Sequence, residues 1–205
     1  MEPGACEPVS RRGGPARPAL SRAAIVDAGR EVADSEGVDA VTMRRVAGKL
    51  DTSASALYVY IRSRQDLLDA MFDHVMAAVA EAAIPDGTWQ ERLGHLLITS
   101  VEAASGHGGL AQVALSSIPG GPSARKIAAE VRALLTEGQV SDAAIPAALD
   151  LLALFVTAAA LDRVPAGFLA PPQQRDRLRW QIDVILTGLV ASGAGGHRVN
   201  SGPAS

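Results

Sequence analysis

The sequence predicts an all-α protein, and three observations carry that expectation. Apolar residues make up 48% of the 205-residue chain but aromatic ones only 3%, so the core must be built from Ala, Leu and Val, which suit close-packed helices better than sheets. Apolar positions recur at helical spacing in one segment after another. Ser or Thr precedes many of these runs, and Gly or Pro follows them, as helix starts and stops require.

The elements follow in order. Residues 1–19 are rich in Pro, Gly, Ala and Arg without periodicity and read as a disordered arm. Arg11, Arg12 and Arg17 suit a minor groove beside a bound helix, although a solvated tail is the commoner fate of such an arm. Ser21 is a good N-cap, with Leu20 and Ile25 as a hydrophobic staple, for a first helix of about 14 residues that ends at Glu36-Gly37. Thr42 caps a second helix whose inward positions are Met43, Val46, Ala47 and Leu50. Ser53 caps a third only three residues past Leu50, so the turn is Asp51-Thr52 and the two helices must cross steeply, the geometry of a helix-turn-helix. Leu57 and Ile61 anchor helix three, leaving Ala54, Ser55, Tyr58 and Tyr60 outward or at its edge. Ser63 with Asp66 forms a capping box for a fourth helix that runs to about Ala83.

A second unit opens with the Thr88/Glu91 capping box, and Gly- and Pro-rich punctuation divides it into helices near 88–104, 110–117, 123–137, 142–163 and 173–191. Pro146 sits either in a first turn or at a kink. The domains expected are an arm at 1–19, a helix-turn-helix at 20–67, a helical ligand-binding and dimerisation domain at 68–192 and a disordered tail at 193–205.

Charge is split along the chain. Residues 1–65 hold 10 Lys/Arg against 8 Asp/Glu, whereas 66–205 hold 9 against 14, a pattern that fits a polyanion-binding module on an acidic body. Cys6 is the only cysteine, so no disulfide framework is possible and a reducing cytoplasm is the expected compartment. The longest uncharged apolar run, Leu151 to Leu161, falls short of the ~20 residues a membrane helix needs. Catalysis is a poor expectation: His74, His95, His107 and His197 show no metal-ligand spacing, and neither a phosphate-cradling loop nor a nucleophile elbow appears. No cofactor or metal is expected.

The stretch Val41–Leu68 carries the better chemistry. Duplex DNA needs a helix that fits the major groove, a second helix braced across the backbone, and donors at phosphates. The small residues Ala54, Ser55 and Ala56 let helix three approach base edges: Ser55 offers a donor and acceptor, and Ala54 or Ala56 suits a thymine methyl. Arg44 is placed to reach a guanine, and Thr42, Arg64, Tyr58 and Tyr60 to reach phosphates. For Tyr58, packing on helices one and four is an equal alternative.

The segment Ser21–Met71 resembles the DNA-binding domain of the tetracycline-repressor (TetR) family, through AIVDAGREVADSEG, VTMRRVAGKL, SALYVYI and SRQDLLDAMFDHV. DLLALFVTAAAL and ALSSIP are similar, less specifically, to that family's regulatory domain. The resemblance implies a homodimeric transcriptional repressor that binds a palindromic double-stranded operator and is released by a small-molecule inducer. By matching positions it assigns DNA contact to Thr42, Arg44, Ser53, Ala54, Ser55, Tyr58, Tyr60 and Arg64. The chain departs from the family pattern at Asp51, where glycine is common and a left-handed residue is needed, and at Thr52, Tyr60 and Arg64.

In the second unit, helices 142–163 and 173–191 are apolar enough to form a four-helix interface with a second copy. His95, Thr99 and Glu102, a polar row on helix 88–104, together with Trp89, Gln112, Phe155 and Phe168, are the candidate lining of a smooth, largely aliphatic ligand pocket, although such a row is more often a solvated face. The competing reading from another class is a helical small-molecule carrier or sensor whose N-terminal unit docks a protein.

Overall fold

The computed structural model describes residues 19–107, 109–110, 120–161 and 171–194. The arginine-bearing arm, the helix expected at 110–117 with Gln112, the loop with Phe168 and nearly all of the C-terminal tail lie outside the described residues. Among those described there is no strand, as an all-α fold requires. The helices are α1 (Arg22–Glu36), a 3-10 turn (Val38–Ala40), α2 (Met43–Lys49), α3 (Ala54–Leu57), α4 (Arg64–Glu81), α5 (Trp89–Ser105), α6 (Pro122–Glu137), α7 (Ile145–Leu161) and α8 (Pro171–Ala194).

Local chemistry starts these helices where the sequence places them. The hydroxyls of Ser21, Thr42, Ser53 and Ser63 accept the amides of Ala24, Arg45, Ala56 and Asp66 at 3.1–3.2 Å. Thr88 and Glu91 complete a reciprocal box, the Glu91 carboxylate accepting the Thr88 amide at 2.9 Å. The Ser63 box is only half made. Asp66 accepts from the Arg62 amide at 2.8 Å and from the Arg22 guanidinium at 3.0 Å, so α1 draws its carboxylate away from the Ser63 amide. Pro146 falls in the first turn of α7, where its missing N–H costs nothing.

Helix α4 is the spine. It packs on α1 in one direction and on α5 and α6 in the other. Ile25, Leu57, Ile61, Leu67 and Met71 close the first core, and Leu93, Leu134, Leu135, Ile145, Leu152 and Ile182 the second, all fully buried. The two merge along α4 into one apolar cluster.

Two glycines are where they are for tertiary reasons. Gly121 precedes α6 and has no side chain to cap it, so Asp73 of α4 does so from fifty residues away: its carboxylate accepts the amides of Ser123 and Ala124 at 3.0 and 3.1 Å and the Ser123 hydroxyl at 3.1 Å. Any Cβ at 121 would fall on that carboxylate. At the end of α6 the residue with positive φ is Gln139, at 59°, and not Gly138. At Gly138 a Cβ would lie 2.6 Å from the Trp89 indole.

Asp73→Ala should lower the free energy of unfolding by about 1–2 kcal/mol, the value of a charged N-cap at a half-buried helix start. Urea denaturation measures it, and an unchanged midpoint would mean that the cap is idle.

Candidate nucleic-acid interface

The α2–α3 turn is closed by backbone bonds from Thr52 to the Ala47 carbonyl at 3.0 Å and from Asp51 to the Gly48 carbonyl at 3.3 Å. This pattern needs a left-handed residue after the helix. Asp51 supplies it with φ 51°, as the family resemblance implies for this position. α3 itself is shorter than the apolar pattern suggests. It ends at Leu57 and continues as a turn in which the Tyr60 and Ile61 amides both reach the Leu57 carbonyl at 2.9 Å. With Leu57 and Ile61 fully buried, the opposite side of this turn faces solvent.

Ion pairing sorts the cations around that surface. Arg45 grips Glu36 of α1 through three contacts of 2.6–3.0 Å, and the bond holds the Glu36 carboxyl below its usual range while raising the arginine. Lys49 pairs with Glu31 at 2.8 Å. Arg22 serves Asp66 and the Tyr60 carbonyl. Arg64 is committed to backbone: its guanidinium donates to the Val41 carbonyl at 2.6 Å and the Val38 carbonyl at 3.0 Å, tying the entry of α2 to the head of α4. Exposed Arg44 and Arg62 have side chains with no ion pair or hydrogen bond among the described residues. Arg62 is absent from the sequence candidates. Its signal was a cation immediately before the Ser63 cap, outside either helix.

The neutral candidates split by what their polar atoms already do. The Thr42 oxygen accepts the Arg45 amide, which leaves its exposed O–H free to donate outward. Ser53 accepts the Ala56 amide and shares a 2.9 Å bond with the Ser55 hydroxyl, so one of these two hydroxyls orients the other. Tyr58 is 53% exposed and Tyr60 41%, and neither phenol hydroxyl meets a partner among the described residues. Ala54 is half-buried against the core beside them.

Asp66 is the electrostatic joint beneath this surface. Partial burial pushes its carboxyl up, but the Arg22 guanidinium and the Arg62 amide outweigh that and hold it below its ordinary value. A depressed folded pKa stabilises fully above the unfolded value, near 4, and loses that contribution as pH falls through the folded one. The stability advantage of the native chain over Asp66→Asn should therefore be greatest near neutrality and shrink below about pH 4, as urea midpoints at pH 7, 4 and 3 will report.

The ligand candidates among the described residues are not gathered at one point. Trp89 and Glu102 lie on α5 about 20 Å apart at 1.5 Å per residue. Trp89 packs on Gly138, Thr99 donates to the His95 and Leu96 carbonyls of its own helix, and His95 is exposed. Glu102 is held bidentately by Arg175 of α8 at 2.6 and 3.0 Å. Phe155 is half-buried against the core. A groove of about 420 Å³ runs between the start of α5 and the end of α8, lined by Gln90, Asp183, Leu186, Thr187, Val190 and Ala191, and none of the candidates among the described residues is in that lining.

A short braced helix, a tight left-handed turn and a solvent-facing second helix define a helix-turn-helix protein. The chain matches the family model described as bacterial regulatory proteins, tetR family, over residues 25–71, the segment that carries the helix-turn-helix. It is 32% identical over 145 residues to the HTH-type transcriptional repressor DrrR1 of Streptomyces coeruleorubidus, covering 70% of this chain and 54% of DrrR1. The chain thus spans about half the length of that relative.

Two solved structures cover nearly the whole of their own chains. The Streptomyces coelicolor TetR family protein ActR in complex with actinorhodin is 27% identical with a TM-score of 0.71, covering 85% of this chain and 98% of ActR. BioQ of Mycobacterium smegmatis, solved with its double-stranded DNA operator, is 26% identical with a TM-score of 0.69, covering 84% of this chain and 99% of BioQ.

Proposed function

We propose that this protein is a transcriptional repressor that binds a palindromic DNA operator as a homodimer and is released by a small-molecule inducer. The observation that carries the reading is the pair of exposed, unpaired arginines, Arg44 and Arg62, one on either side of α3 along the chain, while Arg45, Lys49 and Arg64 are engaged elsewhere. Arg44 is the base-reading cation. Thr42, Arg62, Tyr58 and Tyr60 contact phosphates, and Ser55, oriented by Ser53, reads base edges beside Ala54. Arg64 acts through the backbone it clamps, setting the angle at which α2 meets α4. The operator complex of BioQ supports this assignment by likeness of fold.

Dimerisation is supported by unpartnered apolar faces. α7 and α8 both pack on α5, yet α7 leaves Leu151 and Leu154 exposed and α8 leaves Trp180 and Val184 exposed. The sequence pattern of α7, apolar nearly all round, asks for burial on several sides, and within one chain only the side of Ile145, Ala148, Leu152 and Ala160 is buried. A second copy covers the rest.

The domain division at 67/68 then falls inside α4, the covalent route from reading head to sensor. A tilt of α4, tied by Asp73 to the start of α6, changes the spacing of the two reading heads from the ~34 Å of one DNA turn. Ligand release of DNA is the reading that ActR's actinorhodin complex supports by likeness.

The test is selection of genomic fragments by the full chain at two salt concentrations. An inverted repeat whose binding weakens steeply with salt is expected. No enrichment at either salt would sink the repressor reading in favour of a carrier.

A further inference from the structure

Val59 is the most exposed large apolar side chain among the described residues, at 79%, and the fold gives no reason for it. It lies four residues after Ser55 in a backbone that is still helical at Tyr58 and closed by the Ile61–Leu57 bond. Ser55 and Val59 therefore stand on one ridge, turned away from the buried Leu57 and Ile61, with Tyr58 beside them. The small apolar residues of the same helix reach less far: Ala54 and Ala56 are both half-buried.

We infer that Val59 is a specificity-determining residue that packs against the C5 methyl of a thymine in the major groove. The inference rests on the operator-binding reading above and adds a contact to it. Arg44 and Arg62, which precede and follow α3 in the chain, are exposed cations whose side chains make no ion pair or hydrogen bond among the described residues, as a segment that meets a polyanion requires. On such a surface an isopropyl group can neither donate to a phosphate nor bond a base edge, and the thymine methyl is the apolar feature of the major groove. Valine's β-branched side chain is stiff at χ1, so little rotamer freedom is lost on contact.

The experiment takes the operator recovered by genomic selection and replaces each thymine in turn by deoxyuridine, which lacks only the methyl. Affinities are measured at one salt concentration for the full-length wild type, Val59→Ala and Val59→Thr. One position in each half-site should cost the wild type roughly fourfold, the worth of one buried methyl. Val59→Ala should lose a similar factor on the thymine duplex and be indifferent to deoxyuridine there, with Val59→Thr intermediate. Because the side chain is exposed, the unfolding midpoints of both variants should match the wild type and exclude misfolding.

Equal losses for wild type and Val59→Ala at every thymine overturn the contact while leaving operator binding intact. Failure of the wild type to recover any operator overturns the operator reading, and this contact with it.

Discussion

Leu154→Asp combined with Trp180→Asp is expected to leave the chain monomeric and to cut operator affinity by roughly 100-fold or more, because two half-sites then bind independently and lose their linkage. Both side chains are largely exposed in the single chain, at 59% and 67%, so neither aspartate enters its core. Thermal unfolding should therefore show a folded protein, and sedimentation should show one of half the wild-type mass. Each aspartate would have to be desolvated on the apolar faces of α7 and α8 for the pair to form, a cost that burial without a partner makes prohibitive. A double variant that still sediments as a dimer would place the interface elsewhere.

Arg44→Ala is the second large expectation. A bidentate contact from arginine to guanine contributes about 1–3 kcal/mol of discrimination, so specific affinity should fall roughly 5- to 150-fold. The salt dependence should stay nearly constant if the arginine reads a base, and lose about one unit of slope if it neutralises a phosphate. Arg44→Lys separates the two roles, because lysine keeps the charge without the planar fork. Arg45→Ala is the internal comparison. Its guanidinium is spent on Glu36 in an exposed pair, and such pairs contribute little, so its effect on binding should be small. Equal losses for Arg44→Ala and Arg45→Ala would falsify the division of labour between them.

That division shows where sequence reading stops. VTMRRV presents two adjacent arginines, and resemblance to a family favours the first. The physical reason is Glu36, nine residues earlier, at the end of a different helix and within 3.0 Å of Arg45. Arg64 is similar. Its position at the N-terminus of α4 suggests a phosphate contact, yet its guanidinium donates to the carbonyls of Val38 and Val41, and backbone acceptors more than twenty residues away leave no trace in a local pattern. Val59 carries no polar atom that would mark a contact in the sequence. Only the burial of Leu57 and Ile61 on the opposite side shows that it faces out.

The ligand side was less legible still. A polar row at helical spacing on α5 is consistent with a pocket wall, but Thr99 is satisfied by its own helix and Glu102 by Arg175, seventy-three residues on. Helical periodicity says which residues share a face and nothing about what that face meets.

By itself the sequence determined the N-terminal helices, their starts and their order, because a cap bonds an amide two or three residues away and a turn closes within six; the left-handed backbone at Asp51 was implied by resemblance to the family pattern instead. The tertiary structure alone decided which cations are free, why Gly121 and Gly138 must lack a Cβ, and that α7 and α8 keep an apolar face uncovered. Each of those depends on groups that meet only after helices far apart in the chain have packed, with α4 as the element they pack around.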